Sequence, residues 1–129
     1  MKYYKVMENM QTQIPPEIQH KIMQFQEIQE RIRALITRKQ QLEVELREVE
    51  RTLDELKDVN NETPIFKFTG RVLIRVSKEN IVRELNDRKE TLELHIKTLE
   101  KQEAQARKRF EELRQDLSQA LAGFQVSGG

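Results

Sequence analysis

The sequence predicts a mainly α protein, a long antiparallel two-helix coiled coil with a β-hairpin at its centre. Three observations carry that prediction. Apolar residues recur at spacings of three and four along two arms of nearly equal length, over about six heptads in each, well beyond the three or four that make a coiled coil credible. Between the arms lies Pro64–Ser77, PIFKFTGRVLIRVS, where β-branched and aromatic residues surround a single glycine. The 129 residues are 35% charged, 36% hydrophobic and only 5% aromatic, a composition that suits helices with a narrow apolar stripe better than a globular core. Disordered chains are as polar, but they lack a sustained apolar period.

The first arm, with its exit turn, occupies residues 14–63 and follows an N-terminal extension, residues 1–13, that need not be ordered. One seam position holds Ile18, Phe25, Ile32, Lys39, Leu46 and Leu53, and the other holds Lys21, Ile28, Leu35, Leu42, Val49 and Leu56. Pro15 and Pro16 fit only in or before the first helical turn. The run DVNNET at Asp58–Thr63 supplies turn formers, and Pro64 forbids continuation.

The second arm spans residues 78–122 and opens behind Ser77, an N-cap residue, with Glu79 in the first turn. Its seam holds Val82, Lys89, Ile96, Glu103, Phe110, Leu117 and Phe124 at one position. Leu85, Leu92, Leu99, Ala106, Leu113 and Ala120 hold the other. Gly123 weakens the helix, and residues 123–129 are expected to be flexible. Each arm is about 65 Å long at 1.5 Å per residue. Folding back from a central hinge brings Phe25 near Leu113 and Ile14 near Phe124.

The polar faces fit paired helices. Glu27–Arg31, Glu43–Arg47, Glu84–Arg88, Glu93–Lys97 and Glu103–Arg107 are acid-then-base pairs at i,i+4, each contributing about 0.2–0.5 kcal/mol. Lys89 interrupts the seam and either meets Glu45 or Glu48 across the pair, fixing register, or snorkels to water.

In the hairpin, residues 64–77, Phe66 and Phe68 alternate around Lys67, and Val72, Ile74 and Val76 alternate with Arg71, Leu73 and Arg75, with Gly70 at the turn. A two-residue loop, Thr69–Gly70, sets Phe68 opposite Arg71 and divides the apolar residues between faces. A three-residue loop sets Phe68 opposite Val72 and Phe66 opposite Ile74, gathers one apolar face, and is preferred. Either way Ile65 and Leu73 stay on the other face. A lone two-stranded hairpin is marginal in water and leaves strand edges unpaired, so this block needs partners, most simply copies of itself.

Much chemistry is excluded. Without cysteine there is no disulfide, thiolate catalysis or Cys-ligated metal. There is no phosphate-binding GxxxxGK[ST] loop. His20 and His95 sit on different arms without metal-ligand spacing, and the carboxylates are spread along rods that offer no water-excluding cleft. No enzyme, cofactor or metal is expected. Basic residues number 23 and acidic residues 22, finely mixed, unlike a nucleic-acid surface. No run of about 18 apolar residues spans a membrane, and MKYYKVMENM lacks the apolar stretch of a signal peptide. The expected location is cytoplasmic.

Apolar residues also exceed what a two-helix seam consumes where the chain's ends converge. Ile14, Ile18, Ile22, Met23 and Phe25 meet Phe110, Leu117, Leu121, Phe124 and Val126 there, with Tyr3 and Tyr4 as further candidates. Two readings stand: the residues zip the end of the coiled coil shut, or they form an adaptable patch that holds non-native polypeptide.

Three segments carry a family resemblance. IPPEIQ at Ile14–Gln19 is similar to the opening of the first helix of prefoldin β subunits, the archaeal relatives of eukaryotic prefoldin subunit six. FKFTGRVLIRVSKENIVREL at Phe66–Leu85 resembles their signature hairpin and second-helix start. LELHIKTLEKQEAQ at Leu92–Gln105 resembles their L-rich helix and the Lys/Arg–Gln–Glu segment after it. The likeness covers residues 13–122, and the single hairpin separates this type from prefoldin α, which has two. Met10 stands near where the family often begins.

The resemblance implies a hexamer of two α and four β subunits whose hairpins join in an intersubunit β-barrel. It implies ATP-independent capture of unfolded polypeptide at the coiled-coil tips and transfer to a group II chaperonin. By the same analogy Ile65, Phe66, Phe68, Val72, Leu73, Ile74 and Val76 serve oligomerisation, and Ile14, Ile18, Ile22, Phe25, Leu117, Leu121 and Phe124 bind client. Charged tip residues such as Glu111, Glu112 and Asp116 are available to a chaperonin, but the sequence does not single them out. The competing function is a structural coiled-coil spacer that docks through its hairpin, and a weaker one is an RNA-binding arm, which the alternating charges oppose.

Overall fold

The structure, a computed structural model, describes residues 14–127, with side chains described as far as Phe124. The element order is α1 (Pro16–Lys57), β1 (Ile65–Phe68), β2 (Leu73–Val76) and α2 (Lys78–Ser127). The chain divides into a hairpin unit, residues 36–101, and a terminal unit built from the residues up to Leu35 and those from Gln102 onward. The extension at residues 1–13, with Tyr3 and Tyr4, lies outside the described residues. So does the Val126 side chain.

In the hairpin unit Leu42, Val49 and Leu56 of α1 and Leu92, Ile96 and Leu99 of α2 are buried, with Leu92 the most enclosed at 1% exposure. Two heptad positions, one from each arm, supply five of these six. At the alternate positions Ile96 is buried as well, whereas Leu46, Leu53, Val82 and Lys89 are half-buried. Two helices enclose only one line of side chains between them, and the flanking line keeps one side in water. Fully burying a leucine contributes about 1.5–3 kcal/mol, so that single line holds the pair together.

The helix ends follow the sequence. Pro15 accepts the first backbone bonds of α1, from Ile18 and Gln19 at 3.0 Å. Ser77 caps α2: its Oγ accepts from the Asn80 amide at 3.1 Å and its carbonyl from the Ile81 amide at 3.0 Å. After α1 the chain makes a turn in which the Asn60 side chain accepts from the Glu62 amide and its carbonyl from the Thr63 amide, both at 3.0 Å. The Lys78 ammonium donates to the Val59 carbonyl at 2.6 Å and ties this turn to the start of α2. At its far end α2 continues through Gly123 to Ser127, past the expected boundary at residue 122; one interior glycine costs a helix about 1 kcal/mol and does not end it.

The hairpin register differs from both expected ones. Ile65 pairs with Val76, Phe66 with Arg75, Lys67 with Ile74 and Phe68 with Leu73. The Thr69 amide and hydroxyl both donate to the Val72 carbonyl, at 3.0 and 3.2 Å, so the central turn residues are Gly70 and Arg71. Gly70 has φ of 94°, a value that L side chains reach only with strain. Placing the glycine first of the two, as hairpin turns favour, moves the pairing one residue beyond the preferred register and exchanges faces. Phe66, Phe68, Leu73 and Arg75 thus share one face, and Ile65, Lys67, Ile74 and Val76 share the other.

The helices are also offset from the expected pairing. In the terminal unit Phe25 stacks on Phe110, one turn before Leu113. In the hairpin unit it is Arg88, not Lys89, that reaches Glu45, its Nε and Nη2 both donating to one carboxylate oxygen at 2.8 and 2.6 Å. The cause lies in unequal connections: Asp58–Pro64 separates α1 from β1, whereas Ser77 alone separates β2 from α2. The hairpin's centre is therefore not the centre of the helix pair. Glu84, expected to pair with Arg88, instead accepts from Lys67 of β1. The Glu103–Arg107 pair forms as expected, at 3.0 Å.

Candidate functional site

The two groups of candidate residues fall in different units, the oligomerisation set in the hairpin unit and the client set in the terminal unit.

The Lys67–Glu84 ion pair turns one hairpin face toward α2, and Ile65, Lys67 and Val76 on that face are half-buried. Ile74, on the same face, remains 48% exposed. The opposite face has no cover among the described residues: Phe66, Phe68 and Leu73 are 56%, 68% and 66% exposed, and Arg75 beside them is exposed too. Val72, at the turn, adds to the exposed apolar surface. Three large apolar side chains on four residues of strand face form a compact patch with a single cation at its edge. Such a patch marks an interaction surface, and the strand edges beside it offer unpaired backbone groups.

The terminal unit partly closes on itself. Ile18 and Leu113 are buried, as is Ala106. The rings of Phe25 and Phe110 stack with centroids 4.9 Å apart and an interplanar angle of 27°, a contact that contributes about 0.5–1.5 kcal/mol beyond area burial. Ile14, Ile22, Leu117 and Phe124 are half-buried, and Leu121 is exposed. Ile18 and Phe25 are thus engaged in packing, and the apolar surface that stays partly exposed comes from Ile14, Ile22, Met23, Leu117, Leu121 and Phe124. Met23 is the residue that a heptad reading underrates: it lies off the seam, and it is the most exposed large apolar side chain among this unit's described residues. With Ile14, Gln19 and Ile22 it lines a groove of about 400 Å³. Gln19 donates through Nε2 to the Ile14 carbonyl at 2.9 Å, which holds Ile14 on the groove's rim.

The acidic residues proposed to meet a chaperonin are partly engaged within α2. Arg109 pairs with Glu112 at 3.3 Å and Arg114 with Glu111 at 3.0 Å. Among the described residues no cluster of three or more His, Cys, Asp or Glu could hold a metal ion. No described helix is long and apolar enough to cross a membrane.

A model of the prefoldin subunit family matches residues 19–124, nearly the whole described chain. The chain belongs to the prefoldin subunit family. It is 41% identical over 110 residues to prefoldin subunit beta of Archaeoglobus fulgidus, a match covering 85% of this chain and 95% of that one. Prefoldin subunit beta of Saccharolobus islandicus is 37% identical over 120 residues, covering 93% and 95%. The crystal structure of the prefoldin beta subunit from Thermococcus strain KS-1 superposes with a TM-score of 0.75 at 30% identity, covering 84% of this chain and 95% of that one. Two long helices with a two-stranded antiparallel hairpin between them are thus the prefoldin beta fold. Prefoldin membership supports a chaperone-type role within a multi-subunit prefoldin complex.

Proposed function

We propose that this chain is an ATP-independent holdase subunit of a cytoplasmic hetero-hexamer with two α and four β subunits. Its hairpins join those of neighbouring subunits in a β-barrel. The apolar residues of its terminal unit hold unfolded polypeptide and release it to a group II chaperonin. The observation that carries this reading is the uncovered hairpin face, Phe66, Phe68 and Leu73, together with a second apolar surface elsewhere in the chain. One surface serves permanent assembly and leaves the other free for transient ligands.

The supporting physics differs between the two surfaces. The hairpin patch is short, flat and flanked by strand edges, so another hairpin satisfies side chains and backbone together. The terminal surface is built from half-exposed aliphatic side chains, a methionine and an aromatic ring. Such side chains repack around varied apolar sequences and suit promiscuous binding. No step in this function requires bond making, so no nucleotide or cofactor enters.

The reading is tested by mixing this chain with an α-type prefoldin subunit and following light scattering of a chemically unfolded protein. The expected result is slowed aggregation without any nucleotide and no further gain when ATP is added. Unchanged aggregation, with saturable binding of the hairpin to one folded partner, would instead identify a structural spacer.

A further inference from the structure

Residues 64–77 carry three cations, Lys67, Arg71 and Arg75, and no carboxylate. The three are not equivalent in the structure. Lys67 faces α2 and is paired there by Glu84. Arg71 occupies the turn, and Arg75 lies on the uncovered face with Phe66, Phe68 and Leu73. Neither arginine forms an ion pair with a described residue. At the base of the hairpin Arg75 borders a polar recess together with Glu62, but Lys78 lines the same recess. Two cations thus face one carboxylate there. Glu79, the next acid along the chain, is engaged by Arg83 at 3.2 Å.

The backbone turns the same four residues of the face toward a partner. The Thr69 amide donates across the hairpin to the Val72 carbonyl. Along an antiparallel ladder such bonded pairs alternate with pairs whose amides and carbonyls point outward. Phe66, Phe68, Leu73 and Arg75 are the outward ones, and they offer their backbone groups at the two edges of the hairpin. A strand added along β2 therefore sets one of its side chains directly beside the Arg75 guanidinium.

A partner that buries this face also strips water from Arg75. A guanidinium stays charged when buried, and a buried charge without a partner is strongly destabilising. A carboxylate satisfies it with two parallel N–H···O bonds. The hairpin of a second copy has no such group to offer, because each of its residues is neutral or cationic. Like charges set opposite each other also destabilise a sheet, and Arg71 at the turn adds to the repulsion between copies.

We infer that this hairpin face selects against copies of itself and takes a β-hairpin from a different subunit, one whose strand alternates apolar residues with an aspartate or glutamate set against Arg75. The inference rests on the reading of the hairpin as the assembly surface and adds the chemistry of its partner. It replaces the simplest partner expected from the sequence, another copy of the block. Attraction and repulsion then act together: the same arginine that binds the acidic hairpin keeps the copies apart.

The test titrates the full chain against an α-type prefoldin subunit and reads the complex by sedimentation velocity. Arg75→Gln should weaken binding at least about tenfold, the loss of one charge-assisted pair. Arg75→Glu should weaken it at least about a hundredfold, since two carboxylates then meet in a buried site. Arg75→Lys keeps the charge and should stay within about fivefold of the unaltered chain. Arg75 is exposed, so circular dichroism should show unchanged helix content in all three variants. Without the α-type subunit, Arg71→Gln combined with Arg75→Gln should self-associate at least about tenfold more tightly than the unaltered chain. Binding unchanged by Arg75→Gln would overturn the inference. So would an unaltered chain that pairs with itself as tightly as with the α-type subunit and loses that pairing on Phe68→Ala. Phe68→Ala also separates the two levels of the account. If it weakens the mixed complex while Arg75→Gln does not, the fault lies in the role given to Arg75; if neither weakens it, the hairpin face is not the assembly surface.

Discussion

Phe66→Asp, or Leu73→Asp, is expected to release the chain from its complex as monomers or small oligomers while leaving its helices intact. Both positions lie on the hairpin face that no described residue covers. Neither substitution therefore removes an intrachain core contact, and an aspartate at 66 would stand opposite Arg75, a pairing that favours the hairpin itself. In the proposed assembly the same face is buried. Losing a buried phenylalanine or leucine costs about 1.5–3 kcal/mol per interface, and an aspartate adds the cost of burying a charge. At 1.4 kcal/mol per decade, each hairpin contact weakens by roughly a hundredfold or more. Sedimentation velocity of the complex made with an α-type subunit reads the effect, and circular dichroism confirms retained helix. An unchanged sedimentation coefficient would remove the hairpin from the assembly interface.

The second large effect belongs to the terminal unit. Deleting residues 118–129 removes Leu121 and Phe124 but spares the Phe25–Phe110 stack, the buried Leu113 and the whole hairpin unit. Assembly should therefore persist. Leu121 and Phe124 are each only about a third exposed or less, so client that covers both fully gains at most about 1–2 kcal/mol per subunit, and their removal is about a five- to thirtyfold loss. In the proposed complex several subunits hold one long client, and there these losses compound through avidity. Suppression of aggregation should fall nearly to the level of the uncatalysed control at an unchanged sedimentation coefficient. Full activity in the shortened complex would place client binding elsewhere.

How far the sequence anticipated this arrangement depended on how local the determining physics was. The Ser77 cap and the stop at Asp58–Pro64 are decided within a few residues, by a hydroxyl beside orphan amides and by turn formers before a proline, and both are found as expected. The buried line Leu42, Val49, Leu56, Leu92 and Leu99 follows the heptad directly. The hairpin register was not legible, because it turns on one carbonyl, that of Val72, accepting two bonds from Thr69, and on which turn position the glycine takes. Gathering the apolar residues on one face was the wrong criterion for a strand pair expected to be buried on both sides. The Glu45 partner was missed for a geometric reason. Lys89 sits on the seam, but Arg88 beside it offers a forked guanidinium that places two donors on one oxygen. Met23 was visible as an apolar residue, but its prominence required knowing that Ile18 and Phe25 are consumed by packing.

Exposure alone does not make a client site, and α2 supplies its own control. Leu94 is 60% exposed in the hairpin unit, whereas Leu121 is 36% exposed in the terminal unit. A photo-reactive phenylalanine analogue placed at either position, in the assembled complex holding a radiolabelled unfolded protein, compares the two directly. The account predicts strong cross-linking from position 121 and little from position 94, the reverse of their exposure. Equal yields, or a higher yield from position 94, would contradict a client site in the terminal unit.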